Sequence, residues 1–312
     1  GCAMLMAVSP EVVVSEGIGG VAEGPVWCPD GTLIVTCVDG GLIHRVLPEQ
    51  GRAVVVGRTA GGPNGAALAG DGGVVVAQNG GFDFAAAGLG DAPPPDRVEP
   101  SLQVVSPLGE VVVLTRGGLS APNDLVVTAD GTVLFTDSPV FTDPSRYPYD
   151  LARREGRVWA ADREGGRQLV ADQFAFCNGI ALDVDGSVLV VEANGIVRLS
   201  DDGAEREWVV RAMNDGDASV VADGICLDTA GRIYAAVYNE GGIRVFEDGR
   251  PVDFLPVAGG AVLTNCCFGG IDGRTLFATS AFPAQVVAWE GLPTDGLALT
   301  AWPGPPTAGP MP

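Results

Sequence analysis

The chain has 312 residues with 39 acidic and 18 basic side chains, which gives a net charge of −21. All the basic residues are Arg and His44 is the only histidine, so the chain excludes a Schiff-base lysine, a phosphate-loop lysine and a zinc site with several histidines. The acidic excess disfavours nucleic acid and anionic membranes as partners and favours a small, neutral or cationic molecule.

The first ten residues, GCAMLMAVSP, contain a short apolar run without the basic start or full apolar segment of a signal peptide. We expect residues 1–8 to be disordered or an addition to the natural chain. No uncharged apolar stretch of about 18 residues follows, and the seven cysteines form no CxxC pair. Several lie within apolar strands, as buried free thiols do. These features predict a cytoplasmic protein without a membrane span or a disulfide framework.

Val-rich runs between glycine-rich turns predict strands along the whole chain. A unit of strand, tight glycine turn and strand occurs six times: EGPVWCPDGTLIVTC, PNGAALAGDGGVVVAQ, PNDLVVTADGTVLFTD, CNGIALDVDGSVLVVE, ADGICLDTAGRIYAAV and TNCCFGGIDGRTLFAT. Its turn glycines are Gly31, Gly72, Gly131, Gly186, Gly231 and Gly273, separated by 41, 59, 55, 45 and 42 residues. A period of roughly 40 to 50 residues is typical of a propeller blade. We therefore predict an all-β, six-bladed β-propeller with a central channel, forming one domain over residues 1–312.

Three segments outside the repeat complete this prediction. The two long intervals contain insertions at residues 91–100 and 138–156, which we expect to form loops over one mouth of the channel. Residues 9–15, SPEVVVS, are expected to pair with the last blade as its outermost strand, because this would close the ring and leave no exposed strand edge.

A polar side chain precedes each turn glycine by eight residues. The six are Glu23, Asn64, Asn123, Asn178, Asp223 and Asn265. This position lies at the start of the innermost strand, so the six side chains are expected to meet at the channel axis. A ring of carboxylate and amide oxygens without sulfur or imidazole suits Ca²⁺ better than Mg²⁺ or Mn²⁺. The alternative is that these groups only hydrogen-bond water in the channel.

Four motifs resemble those of the SMP-30/gluconolactonase/LRE-like family, calcium-dependent six-bladed propellers related more distantly to diisopropylfluorophosphatase and the paraoxonases. They are AEGPVW at 22–27, APNDLVV at 121–127 with FTD at 135–137, CNGIALDVDG at 177–186 and ADGICLDTAGRIYAAVYNEGGIRVF at 222–246. The resemblance implies hydrolysis of lactones or related esters. It also implies a catalytic Ca²⁺ held by Glu23, Asn123, Asn178 and Asp223, with Asn64 and Asn265 lining the channel beside it.

That chemistry is physically reasonable for these residues. A cation polarises a lactone carbonyl and stabilises the tetrahedral intermediate. Asp223 is the candidate either to activate a water molecule or to attack directly, and Asn123 to position the substrate while touching the metal. Asn64 and Asn265 are further candidates for substrate binding.

Some positions depart from the family or lie outside its motifs. Sugar-lactone hydrolases of the animal SMP-30 branch have Arg where this chain has Ala121, which argues against a polyhydroxylated sugar acid. Paraoxonase-like members use a pair of histidines, whereas His44 stands alone and is interpreted as a packing or surface residue. Asp137 is a candidate acceptor behind the site, and Tyr147 and Tyr149 could form an aromatic lid.

Three hypotheses remain at this point. The favoured one is a calcium-dependent hydrolase of a lactone or cyclic ester. The second keeps the fold and metal for organophosphate hydrolysis or an isomerase or lyase step, and the third is a non-catalytic propeller that binds a ligand. The sequence leaves the oligomeric state open.

Overall fold

A computed structural model describes residues 9–146, 153–214 and 221–305. Residues 1–8, which we expected to be disordered or added, and the proposed lid residues Tyr147 and Tyr149 lie outside these ranges. The described chain forms six four-stranded antiparallel sheets, and the first strand of each sheet contacts the first strand of the next sheet until the ring is complete. The predicted six-bladed β-propeller is therefore confirmed.

The strands are numbered in chain order. Blade 1 has β2 (Ala22–Trp27), β3 (Leu33–Cys37), β4 (Leu42–Leu47) and β5 (Arg52–Arg58); blade 2 has β6 (Pro63–Leu68), β7 (Val74–Gln78), β8 (Ser101–Val105) and β9 (Val111–Arg116). Blade 3 has β10 (Pro122–Val127), β11 (Val133–Asp137), β12 (Gly156–Ala161) and β13 (Arg167–Phe174); blade 4 has β14 (Cys177–Leu182), β15 (Val188–Glu192), β16 (Gly195–Leu199) and β17 (Arg206–Val210). Blade 5 has β18 (Ala222–Leu227), β19 (Ile233–Val237), β20 (Gly242–Glu247) and β21 (Arg250–Pro256); blade 6 has β22 (Leu263–Gly269), β23 (Thr275–Ala281), β24 (Ala284–Trp289) and β1 (Glu11–Val14). Short 3₁₀ turns cover Pro48–Gln50, Pro139–Thr142 and Pro144–Arg146.

The core consists of apolar layers between neighbouring blades. Each of the six interfaces has its own cluster of buried side chains. Because a strand in the middle of a blade is covered on both faces, β3, β7, β11 and β19 are buried along their whole length. Outer strands such as β9 are mostly exposed to solvent. This layering explains the continuous Val-rich runs of the sequence.

The ring is closed by the amino-terminal strand. β1 pairs antiparallel with β24, joining Glu11 to Ala288 and Val12 to Val287. The predicted outermost strand of the last blade is thus confirmed, and it covers the edge that β24 would otherwise expose.

The turns and insertions also follow the predicted pattern. All six turn glycines have positive φ, between 68° and 88°, a conformation that glycine adopts without steric cost. We call the end of the channel where the inner strands begin the upper end. Both insertions join the second and third strands of their blades, β7–β8 and β11–β12, so both leave the ring at the upper end.

A carboxy-terminal segment that the sequence did not indicate crosses the lower end. We call residues 292–305 the strap. It leaves blade 6, bonds to blade 5 through Leu297 N–H and the Leu227 carbonyl at 2.9 Å, and reaches blade 2 through Trp302 N–H and the Leu68 carbonyl at 2.7 Å. Blade 3 holds its end, where Arg163 Nε donates to the Gly304 carbonyl at 2.7 Å. The strap therefore spans the ring opposite the insertions.

No helix in the described ranges is long and apolar enough to cross a membrane. The six cysteines within those ranges are buried free thiols, and Cys226 and Cys266 have their sulfur atoms 3.4 Å apart. His44 is buried on β4, where desolvation and then the charge of Arg58 lower its pKa.

Candidate functional site

The ring of polar side chains forms at the upper start of the inner strands. Each of β2, β6, β10, β14 and β18 carries its ring residue at the second position, and β22 carries it at the third. All six side chains are buried, with exposed fractions of 2–9%. In every blade the pairing between the first two strands has an irregular register at this point. Such bulges redirect side chains, and here they occur where the strands meet the channel.

Four of the ring residues line one cavity at the upper end. Glu23, Asn64, Asn123 and Asp223 lie together there, below the loops of several blades. Asn178 reaches the same group through a side-chain hydrogen bond to Asp223, which partly offsets the rise in the Asp223 pKa. The structure thus brings the carboxylates of blades 1 and 5 together with the amides of blades 2, 3 and 4.

Two of the amide oxygens have no protein partner. Asn64 Oδ1 and Asn178 Oδ1 are buried and accept no hydrogen bond within the described residues. A buried acceptor without a partner costs free energy, so such atoms indicate a missing water, ion or ligand.

Asn265 has a different orientation from the other ring residues. Its Oδ1 accepts the backbone N–H of Cys266 at 2.8 Å, and its Nδ2 donates to Glu23 Oε2 at 3.0 Å. The side chain lines a second cavity toward the lower end. Asn265 therefore presents an amide donor that orients Glu23, and its oxygen is already used.

Asp124 is a functional candidate that the sequence argument missed. It lies in the channel beside Asn123, is buried, and approaches Asn265 Nδ2 at 3.5 Å. In a regular strand consecutive side chains point to opposite faces, so the repeat placed only Asn123 in the channel. The register irregularity between Pro122 and Leu125 removes that alternation.

The sequence contains a signal for the position of Asp124 at the residue that follows each ring residue. Four of the six are glycines: Gly24, Gly65, Gly179 and Gly224. Blade 3 has Asp124 instead, and a Cβ on Gly65 would lie 2.4 Å from its Oδ1. Glycine is thus required at Gly65 to leave room for the carboxylate. The ND pair of blade 3 and the NC pair of blade 6 are the two that depart from the EG, NG and DG pairs of the other blades.

Within the described residues, three buried carboxylates face one another without a basic partner. Burial and then the charge of Asp124 raise the pKa of Glu23 to about 8. Burial raises the pKa of Asp124 to about 6. Burial, followed by Glu23 and Asp124, raises the pKa of Asp223 well above its usual value. Each shift shows that negative charge is disfavoured here in the absence of a cation.

Residues behind the ring hold its backbone in place. Thr36 Oγ1 donates to the Asn64 carbonyl at 2.7 Å, and Thr136 Oγ1 donates to the Asn178 carbonyl at 2.7 Å, each across a blade boundary. Asp137 is fully buried, accepts the Ala121 N–H at 2.7 Å and pairs with Arg157 at 2.7 Å. Asp137 therefore holds the start of β10 in place by accepting a backbone hydrogen bond, as expected for the acceptor proposed behind the site.

The donor set fits a hard divalent cation. In the described ranges no group of three or more His, Cys, Asp or Glu side chains is arranged to hold a metal ion, so a cation here would depend on the Asn oxygens. Carboxylates and amide carbonyls are the ligands that Ca²⁺ takes. Such an ion would satisfy the unpaired oxygen of Asn178 and the repelling carboxylates of Glu23 and Asp223.

The pKa shifts predict how the metal-free protein responds to pH. In the folded state the pKa of Glu23 rises from its usual 4.5 to about 8, and the pKa of Asp124 rises from its usual 3.8 to about 6. Over each of these two pH ranges the folded state therefore binds more protons than the unfolded state. Their contribution to stability is complete below the unfolded values and lost as pH rises through the folded ones.

We therefore expect Tm, measured calorimetrically in EGTA, to fall by at least about 3 °C between pH 5 and pH 8. Saturating Ca²⁺ should reduce or reverse this fall, because the cation stabilises the ionised carboxylates. An EGTA-treated protein whose Tm rises steadily over this range would contradict the prediction.

The fold and the site define a class: a six-bladed β-propeller whose channel holds a buried ring of carboxylate and amide groups. A family model described as the SMP-30/Gluconolactonase/LRE-like region matches residues 21–282, and the chain belongs to that family. The resemblance inferred from the four sequence motifs is thereby confirmed.

Individual proteins that are similar to this chain share only a small fraction of its sequence. A gluconolactonase from Zymomonas mobilis subsp. mobilis is 25% identical over 314 aligned residues, covering 89% of this chain and 81% of that protein. Regucalcin from Xenopus laevis is 33% identical over 101 residues, covering 27% of this chain and 33% of that protein. The crystal structure of a calcium-binding protein, regucalcin, from Agrobacterium tumefaciens matches with a TM-score of 0.74 and 17% identity, covering 96% of this chain and 99% of that one. At this identity the structural match establishes the fold.

Proposed function

We propose that the protein hydrolyses a lactone or related cyclic ester in a calcium-dependent reaction. The observation that carries this proposal is the cluster of buried, mutually repelling carboxylates and unpaired amide oxygens at the floor of an accessible cavity. Membership of a gluconolactonase-containing family and a relative named gluconolactonase support the lactone as substrate.

Glu23, Asn123, Asn178 and Asp223 would hold the ion. Bound Ca²⁺ would supply positive charge that polarises the ester carbonyl and stabilises the oxyanion of the intermediate. Asn265 orients Glu23 through its amide nitrogen, and Asn178 orients Asp223 in the same way. These contacts preorganise the two carboxylates before the substrate enters.

Asp223 is the group proposed to carry the chemical step. It lines the upper cavity, where its carboxylate can accept a proton from an attacking water molecule or attack the carbonyl carbon itself. Asn123, also in the cavity, is proposed to orient the substrate carbonyl. Asn64, with its unpaired oxygen, is proposed to contact the substrate from blade 2.

Measuring turnover on a panel of γ- and δ-lactones, with EGTA and with added Ca²⁺, tests the proposal. We expect at least one lactone to be hydrolysed, the activity to be lost in EGTA, and Ca²⁺ to restore it. Turnover that EGTA leaves unchanged would contradict the calcium dependence. A panel without any turnover in Ca²⁺ would contradict the proposed reaction.

A further inference from the structure

The walls of the upper cavity differ in chemistry from its floor. Six apolar residues from blades 6, 1 and 2 form one side of the mouth, and we call them the apolar collar: Val21, Val38, Phe84, Leu89, Ala281 and Phe282. Val21, Val38 and Ala281 are buried, while Phe84 and Phe282 pack against them and remain partly exposed. The collar thus presents apolar surface to a molecule that enters the cavity.

The collar is held in a fixed shape. Phe84 packs edge-to-face on the buried Phe82, with ring centroids 5.0 Å apart, and Leu89 N–H donates to the Phe84 carbonyl at 2.8 Å. Gly90 lies against Phe282, since a Cβ at Gly90 would come within 3.2 Å of that ring. The insertion of blade 2 and the β23–β24 turn of blade 6 therefore meet over blade 1.

Apart from the ring residues, the polar side chains that line the cavity are Asn79, Tyr238 and Thr264. Asn79 lines the cavity, and its buried Nδ2 has no hydrogen-bond partner among the described residues, while its Oδ1 already accepts the Gly81 N–H at 2.8 Å. Asn64 Oδ1 supplies one acceptor beside it. An ester group only accepts hydrogen bonds, so of these two atoms Asn79 Nδ2 is the one that can bind it. The six apolar side chains of the collar offer the hydroxyl groups of a sugar ring no hydrogen-bond partner on their side of the mouth.

The charge of the cavity also limits the substrate. Among the described lining residues the charged ones are Glu23 and Asp223, both acidic, and none is Arg. A substrate with a carboxylate or phosphate would find no cationic side chain there and would add negative charge to an acidic site.

We infer that the site takes an uncharged lactone with an apolar substituent, which the collar covers, in preference to a polyhydroxylated sugar lactone. This inference rests on the proposed lactone hydrolysis and names its substrate class. Each methylene that the collar removes from water should raise kcat/KM by about two- to fourfold over the first few carbons.

Six-membered lactones with different substituents test the inference in saturating Ca²⁺. We expect kcat/KM to rise from δ-valerolactone, which has no substituent, to δ-octalactone, which has a propyl group, and to be lowest for glucono-δ-lactone. An equal or higher value for glucono-δ-lactone than for δ-octalactone would overturn the inference and leave lactone hydrolysis standing. Absence of turnover on all three, in Ca²⁺, would overturn the proposed function and this inference with it.

A matched pair of substitutions locates the effect. Leu89→Ser should reduce the ratio of kcat/KM between δ-octalactone and δ-valerolactone at least about threefold, because it removes apolar surface that only the longer substrate contacts. Leu108→Ser makes the same change at a turn that is 89% exposed between β8 and β9, away from the upper end, and should leave the ratio unchanged. An unchanged ratio in Leu89→Ser would exclude the collar as the source of the preference.

Discussion

Asp223→Asn is expected to lower kcat for the best lactone by at least about 100-fold at saturating Ca²⁺, with the propeller intact. The substitution is nearly isosteric but removes the negative charge and the basic oxygen. Asp223 is buried, lines the upper cavity and receives the Asn178 side chain, so both proposed roles, base or nucleophile, require its carboxylate.

Stability distinguishes this loss from misfolding. Because Glu23 and Asp124 both raise the Asp223 pKa, removing its charge relieves repulsion, and the variant in EGTA should be at least as stable as the parent at pH 8. Ca²⁺ affinity, measured by calorimetry, should fall because a ligand charge is lost. Asp201→Asn, an exposed turn residue, serves as the matched control and should change neither property. Full turnover by Asp223→Asn would remove Asp223 from the mechanism.

The fold was predictable because each blade repeats the same local code. A glycine at positive φ is needed in each tight turn, and the Val-rich runs on either side suit strands covered on both faces. Counting blades from such glycines requires no long-range information. The closing strand was predictable for a similar reason, since residues 9–15 are strand-like and precede the first complete unit.

The ring was predictable as a set of positions, but the orientation of its side chains was not. Asn265 occupies the repeated position, yet its oxygen is bound by its own neighbour Cys266. Asp124 enters the channel because of a local irregularity in strand pairing that the alternation rule does not contain. The Asn265 oxygen is used by a bond within its own strand, and Asp124 needs the room that Gly65 leaves in the neighbouring blade, so neither orientation follows from the position in the repeat alone.

Features assembled from distant parts of the chain were also beyond the sequence. The apolar collar combines residues before β2, within the β7–β8 insertion and after β23, and no motif connects them. The strap was missed because residues 292–305 have neither strand alternation nor helical periodicity. Its position follows from backbone bonds to blades 2, 5 and 6 and from the bond that the Arg163 side chain of blade 3 donates.

The strap should contribute strongly to stability through Trp302. This side chain is 2% exposed and packs into the cluster between blades 2 and 3, while its backbone bonds to Leu68 and Gly70, each at 2.7 Å. We expect Trp302→Ala to lower the free energy of unfolding by about 3–5 kcal/mol, through lost burial and the cavity left behind. Denaturant titration followed by circular dichroism measures this change.

Two further Trp variants separate packing from other effects. Trp302 Nε1 is buried and has no hydrogen-bond partner in the part of the chain that the structure describes. Trp302→Phe therefore removes an unsatisfied polar group along with some volume and should cost less than about 2 kcal/mol. Trp208→Ala makes the same truncation on β17, where the side chain is 39% exposed, and should cost less than half as much as Trp302→Ala. Equal losses for the two alanine variants would show that the strap does not depend on this anchor. A larger loss at Trp302 would identify the strap as a second closure of the ring. The first closure is the pairing of β1 with β24 at the outer edge of blade 6, whereas the strap connects blades 5 and 6 to blades 2 and 3 across the lower end.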